Sequence, residues 1–412
     1  MQELIFYKTL DNGIRLVHRQ VGGTKVAHCA IMFDVGSRDE LNDEIGLAHL
    51  WEHMAFKGTN KRSAYQVLTY LDSLGGELNA FTTKEKLCFH ASILNVHLEK
   101  AIDVLCDISF NSTFPDKELI KEKKVILEEI SMYHDTPDDA IQDEFEVQLF
   151  ENHPMGNNIL GTLESIPTFE RDNFLKFIER NVSTDRIVFA TTGDFSSEQA
   201  FSIIEKKIGG MPRKESKLKR NPVNVIKIQH IKVDKPIQQA HCILGGRALS
   251  LQHPDKYKLM LLNNILGGPA SNSLLYLSLR EKYGFVYSVE SNYHAFTDTG
   301  AFQVYFATEK KQLNKCIDLI SKELLKLDDL LSKKSKLEAY KQQIKGQLAV
   351  SEENNQAYLL MMARSILDMD KVENLDHVFD EIDNTNSEQL IELRKQFLDP
   401  GNLSSLIYSP SN

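Results

Sequence analysis

The order of structural signals along this chain runs once and then begins again, and that doubling constrains the fold more than any single motif. The tripeptide Ala27-His28-Cys29 ends a polar approach and opens a strand-like run, and Ala240-His241-Cys242 does the same. Each run leads through a short loop to an apolar helix ending in glycine, HLWEHMAFKG in the first half and LMLLNNILGG in the second. A length of 412 residues already exceeds what one hydrophobic core usually organises, so the repeated order predicts two related domains. Between them lies MPRKESKLKRNP, with two prolines and five basic residues, the composition of a linker. The expected division is an N-terminal domain over 1–211, a linker over 212–224 and a C-terminal domain over 225–412.

Composition excludes several classes of function. With 42% hydrophobic and 26% charged residues the chain reads as an ordinary globular protein, and a net charge of −10 argues against a nucleic-acid partner. The five cysteines are scattered, odd in number and without C-x-x-C spacing, which suits a reducing compartment. The opening MQELIFYKTLDNGIRLVHRQ has no basic segment followed by an apolar run, and no stretch reaches membrane-spanning length. The expectation is a cytoplasmic chain with no membrane partner.

The first half alternates in a readable way. LIFYKTL and IRLVHRQ flank the turn Asp11-Asn12-Gly13 and predict a hairpin. KVAHCAIMFDVG continues as a strand, and helical spacing takes over in EIGLAHLWEHMAF. A second helix, SAYQVLTYLDSL, stops at Gly75 and Gly76, after which ELNAFTTKEKLCFHASI is extended. Helices resume in LNVHLEKAIDVLCDISF and PDKELIKEKKVILEEISMY.

Within the first apolar helix, His49, Glu52 and His53 stand at i, i+3 and i+4 and so share one face. Two imidazoles four residues apart can hold one zinc ion, and a carboxylate beside them can accept a proton from water. The order H-x-x-E-H inverts the commoner H-E-x-x-H. If the two halves are related, the corresponding positions in the second fall near Leu259, Leu262 and Asn263, which leaves the polar set to the first half alone. His28, His90 and His241 lie in strand-like contexts and read as packing or surface histidines, and Trp51 reads as a packing residue.

The stretch GLAHLWEHMAFKGT closely resembles the signature helix of the inverted-motif zinc metallopeptidases, the M16 family of pitrilysin, insulin-degrading enzyme and mitochondrial processing peptidase. The resemblance implies a third ligand on a later helix, which falls on Glu129 in EKKVILEEISM, and a supporting glutamate seven residues earlier, Glu122. Seven residues is close to two helical turns, so Glu122, Ile126 and Glu129 share a side while Glu128 points about 100° away. SLGGELNAFTTKEKLCFHASI is similar to the family's active-site edge strand and implies that Asn79, Ala80 and Phe81 hold a peptide through its main chain. SLREKYGFVYSVES resembles the segment carrying an arginine and a tyrosine that act on substrate, here Arg280 and Tyr287. Many relatives have serine-serine-arginine before it, whereas this chain reads SNSLL, with Leu274 in the arginine's place.

The resemblance therefore implies an α+β fold of two related domains, each an antiparallel-rich sheet with helices on one side. It implies Zn²⁺ held by His49, His53 and Glu129, with Glu52 as general base, and hydrolysis of unfolded peptides in a chamber closed by a second copy or a related M16-type chain. Two further readings are a subunit that works only beside a non-catalytic partner and a non-catalytic structural member. A purely structural zinc site is disfavoured, since such sites commonly use cysteine and none lies near the motif.

Overall fold

The computed structural model describes residues 4–223 and 227–411. The end of the expected linker at Asn224 and the expected start of the second domain at Val225 and Ile226 lie outside the described residues. The chain is α+β and forms two compact units. In order, the first half supplies β1 (Leu4–Thr9), β2 (Arg15–Gln20), β3 (Val26–Phe33), α1 (Leu47–Ala55), α2 (Ala64–Asp72), β4 (Glu77–Thr82), β5 (Leu87–Leu94), α3 (Leu98–Phe110), α4 (Asp116–Asp135), α5 (Pro137–Leu149), α6 (Arg171–Asn181), β6 (Ile187–Gly193) and α7 (Ser197–Ile208). The second supplies β7 (His230–Lys235), β8 (Ala240–Ala248), α8 (Lys256–Gly267), β9 (Val286–Ala295), β10 (Gly300–Thr308), α9 (Leu313–Leu331), α10 (Lys334–Glu352), α11 (Asn355–Met369), α12 (Leu375–Asp383), α13 (Ser387–Phe397) and β11 (Ser404–Pro410).

The doubling seen in the sequence is a doubling of topology. The first sheet has the order β1-β2-β6-β3-β5-β4 and the second β7-β11-β8-β10-β9. Setting β1 aside, the two orders correspond strand for strand, and each contains one parallel pair, β2 with β6 and β7 with β11, among antiparallel neighbours. The two AHC strands, β3 and β8, hold the same central place.

Helices cover both faces of each sheet, which corrects the expectation of helices on one side. Alternate residues of a strand face opposite ways. On β3, Phe33 meets Trp51 of α1 with ring centroids 5.5 Å apart, whereas Ala30 and Met32 join Val188 and Ala190 of β6 against Tyr358, Leu359, Met362, Ala363 and Ile366 of α11. On the second sheet, Cys242, Leu244 and Phe302 pack with α8 and α9, while Ile243, Ala301, Leu406 and Tyr408 pack with Ala140, Ile141, Phe145 and Leu149 of α5.

The units are consequently not continuous in sequence. The first comprises 1–131, 157–220 and 351–373, and the second 132–156, 221–350 and 374–412. Helix α5 comes from the first half of the sequence but caps the second sheet, and α11 does the reverse. The contiguous division at 211 and 225 misses this exchange. The basic segment is itself partly anchored in the first unit: Arg220 pairs with Asp39 at 2.8 Å and Asp34 at 3.0 Å. Asp34 also binds Lys86 at 2.7 Å, and Lys86 reaches Asp368 of α11 at 2.7 Å, so a buried ion network fastens the exchanged helix to its sheet.

Candidate metal centre

Helix α1 is apolar on most of its circumference, with Leu47, Ala48, Leu50, Trp51, Met54 and Ala55 buried. Trp51 sits between Phe33 and Phe177 as a packing residue. Gly46 caps the start of the helix; its φ of 95° is left-handed and its missing Cβ lets Gly161 pass against it. Its free amides are met from a distance. The two carboxylate oxygens of Glu40 accept from Gly46 N–H at 3.0 Å and Ala48 N–H at 2.8 Å, which satisfies donors that a glycine cap leaves open.

With the helix so fixed, His49 and His53 turn toward Glu129 of α4. His49 Nε2 lies 4.0 Å and His53 Nε2 3.8 Å from Oε2 of Glu129, and one ligand atom from each residue falls within 4.8 Å of the others. Those separations exceed hydrogen-bond length and suit donors that converge on one ion. Among the described residues no other set of three histidine, cysteine or acidic side chains converges in this way. Glu128 is exposed on α4 while Glu122 is buried and Glu129 half-buried on the side toward α1.

The electrostatics agree with a cation site. Burial, with help from neighbouring His53, pushes the His49 imidazole down to about 3, so it is neutral and has a lone pair to offer at ordinary pH. Burial works against charge on Glu122, but bonds from His53 and Lys57 outweigh it and hold that carboxyl below the usual range. As an ionised carboxylate Glu122 only accepts; His53 Nδ1 therefore donates to it at 2.9 Å, leaving Nε2 as the lone-pair nitrogen toward Glu129. Lys57 closes on the other oxygen of Glu122 at 2.6 Å. Burial raises the carboxyls of Glu129 and Glu52; at Glu52 a hydrogen bond from Thr82 opposes the shift. Two imidazole nitrogens and one carboxylate, without a thiolate, are the donor set that a zinc site with an open coordination position would use.

The remaining assigned residues occupy definite places. Among the described residues strand β4 is an outer strand of its sheet, paired on one side only, with β5. Thr83 N–H bonds to Lys86 C=O at 2.7 Å to close the β4–β5 hairpin. Antiparallel alternation then turns the main-chain groups of Asn79 and Phe81 inward toward His90 and Cys88, and those of Leu78, Ala80 and Thr82 outward. Of the expected peptide-holding residues Asn79, Ala80 and Phe81, it is Ala80 whose main-chain groups turn to the outer side. In the second unit, the Arg280 guanidinium lies 4.8 Å from the Tyr276 ring centroid and 5.3 Å from that of Tyr287, and Tyr287 is 82% exposed. Arg280 belongs to a π-helical segment, Tyr276–Lys282. Leu274, which stands where relatives carry arginine, packs against the second unit's core. His28, His90 and His241 bond to Ser92, Gln356 and Tyr305 respectively.

Three residues of the site escape sequence reasoning. Glu40 and Thr82 reach it through chain folding and carry no local signal. Lys57 stands four residues past His53, a spacing that hints at a shared face.

In the second unit two of the three positions corresponding to the polar set are taken up by packing. Leu259 and Leu262 of α8 are fully buried in that unit's core.

Comparison with known proteins identifies the family. Residues 15–163 match the family described as Insulinase (Peptidase family M16), and residues 168–344 match the description Peptidase M16 inactive domain. The uncharacterized zinc protease YmxG of Bacillus subtilis is 35% identical over 407 residues, covering 98% of both chains. An uncharacterized zinc protease of Mycobacterium leprae is 30% identical over 400 residues, covering 95% of this chain and 88% of that one. Among solved structures, a peptidase M16 inactive domain from Pseudomonas fluorescens superposes with a TM-score of 0.90 at 18% identity over 99% of this chain and 98% of its own. A protease from Helicobacter pylori gives 0.88 at 18% identity over 99% and 100%; at such identity both speak to the fold. With relatives of this similarity matched along nearly their whole length, the chain belongs to the M16 peptidase family.

Proposed function

We propose that the chain is a zinc-dependent endopeptidase acting on unfolded peptides. The observation that carries the reading is the convergence of His49, His53 and Glu129 within 4.8 Å, with Glu52 on the same helical face and one of its oxygens held by Thr82. Zinc, when bound by those three residues, supplies Lewis acidity toward a peptide carbonyl and acidifies water. Glu52 accepts the proton of the attacking water and returns it to the leaving amine. Glu122 fixes the tautomer and orientation of His53. The open edge of β4 at Ala80 and Thr82 receives an extended peptide as an added strand, which gives affinity with little demand on sequence. For Tyr287 and Arg280 the proposal follows the resemblance: the tyrosine hydroxyl donates to the developing oxyanion and the arginine holds a substrate carbonyl.

Assembly with a second chain, identical or related, that encloses the peptide is part of the same proposal, as is a cytoplasmic location, for which the five buried free thiols are the support. No helix of the described residues is long and apolar enough to cross a membrane. The test is reconstitution. Chelator-treated protein should lose hydrolysis of a quenched peptide and regain it with one equivalent of Zn²⁺, and chelation without effect would refute the reading.

A further inference from the structure

Glu52 is one of the longer side chains on α1, and something must keep its carboxylate aimed. Among the described residues its hydrogen-bond partner is the hydroxyl of Thr82, which lies 2.5 Å from Oε2. An ionised carboxylate only accepts, so the hydroxyl donates. One oxygen is thereby held and Oε1 is left for a proton.

Thr82 is the last residue of β4, and the ladder turns its main-chain groups to the open edge while its side chain points at α1. A single residue thus faces two ways: its backbone toward the place where a peptide strand would add, and its hydroxyl toward the carboxylate. We propose that Thr82 is a positioning residue, whose hydroxyl fixes Glu52 and ties it to the edge strand that receives the peptide, so that docking of substrate and aim of the base share one mechanical element. This rests on the reading of Glu52 as general base. Orientation of a reacting group to within a fraction of an ångström is worth orders of magnitude in rate, and a freed carboxylate on a rotatable chain loses it.

Two substitutions separate this role from packing. Thr82→Val keeps the β-branched shape that strands favour and removes the hydroxyl, and Thr82→Ser keeps the hydroxyl and gives up the branch. If Thr82 positions Glu52, Thr82→Val lowers kcat by roughly ten- to a hundredfold, with KM and zinc content near those of the parent, and Thr82→Ser stays within about threefold. A strand-packing role predicts the reverse order, valine at least as good as threonine and serine worse. A crystal structure of the Thr82→Val protein gives a readout apart from rate: Glu52 should leave its present rotamer or spread over several. Glu52→Gln assayed alongside distinguishes the two levels of the claim. Hydrolysis that depends on Glu52 but is indifferent to Thr82→Val overturns the positioning role alone. Hydrolysis that survives Glu52→Gln overturns the base assignment, and the positioning role with it.

Discussion

Glu122 accepts the Nδ1 proton of His53 at 2.9 Å while Lys57 closes on its other oxygen at 2.6 Å. The lysine keeps the carboxylate ionised, the carboxylate fixes the imidazole tautomer, and the tautomer decides which nitrogen is free. Outer partners of this kind typically carry 10–100-fold of metal affinity. Glu122→Gln should weaken zinc binding by about that factor in a chelator competition, with secondary structure by circular dichroism unchanged. Affinity equal to the parent's would show that His53 needs no such support.

The face of α4 gives a sharper comparison between neighbours. Glu129 has its oxygen in the converging set, and Glu128 is exposed to solvent. Glu129→Gln should therefore purify with little zinc and Glu128→Gln with a full equivalent, as measured by elemental analysis. An exchange of those outcomes would mean that the helix is rotated from the position described.

Tyr287 tests the second unit's contribution without disturbing the first. Its ring neighbours the Arg280 guanidinium at 5.3 Å, so Tyr287→Phe keeps that stacking and removes only a hydroxyl. If the hydroxyl donates to an oxyanion, kcat falls about a hundredfold with zinc content unchanged. A fall confined to KM would assign Tyr287 to substrate binding instead.

Acid should weaken the first unit through a buried histidine that is not among the converging donors. His18 is fully buried, with Nδ1 3.0 Å from Thr191 Oγ1 and Nε2 2.8 Å from the Phe195 carbonyl, and burial lowers its pKa against the opposing pull of those bonds and of Glu198. The unfolded chain then binds the proton more readily than the folded one, so this contribution is complete above the ordinary histidine pKa and is lost as pH falls below it, by up to about 1.4 kcal/mol per pH unit. Denaturant midpoints measured from pH 7.5 to 5 should show a shallower decline for His18→Gln than for the parent. Parallel curves would remove His18 from the account.

Much of the candidate site was legible because its first spacing is local. The i, i+3, i+4 set of His49, Glu52 and His53 is a property of one helix, and the resemblance of that helix to the M16 signature supplied Glu129 and Glu122, whose seven-residue interval then sets them on one side of α4. The residues that tune those groups were hidden for the opposite reason. Thr82 is 30 residues from Glu52 in sequence, and Glu40 reaches the amides of α1 from before the helix, so neither contact exists until the sheet and the loop are in place. The fold divides similarly. The repeat of element order foretold two matching sheets, and the strand orders match. The exchange of α5 and α11 was not foretold, because an amphipathic stripe such as Ile141, Phe145 and Leu149 states that a helix is buried on one side and does not state which sheet it meets.

In the proposed site zinc binding and proton transfer belong to different residues of one helical face, with His49 and His53 holding the metal and Glu52 moving the proton. Zinc stoichiometry and hydrolysis of a quenched peptide measured together on Glu52→Gln test it directly. That variant should retain about one equivalent of zinc with hydrolysis reduced by several orders of magnitude. A Glu52→Gln protein that cleaves the peptide at the parent's rate, or that fails to retain zinc while remaining folded, would contradict it.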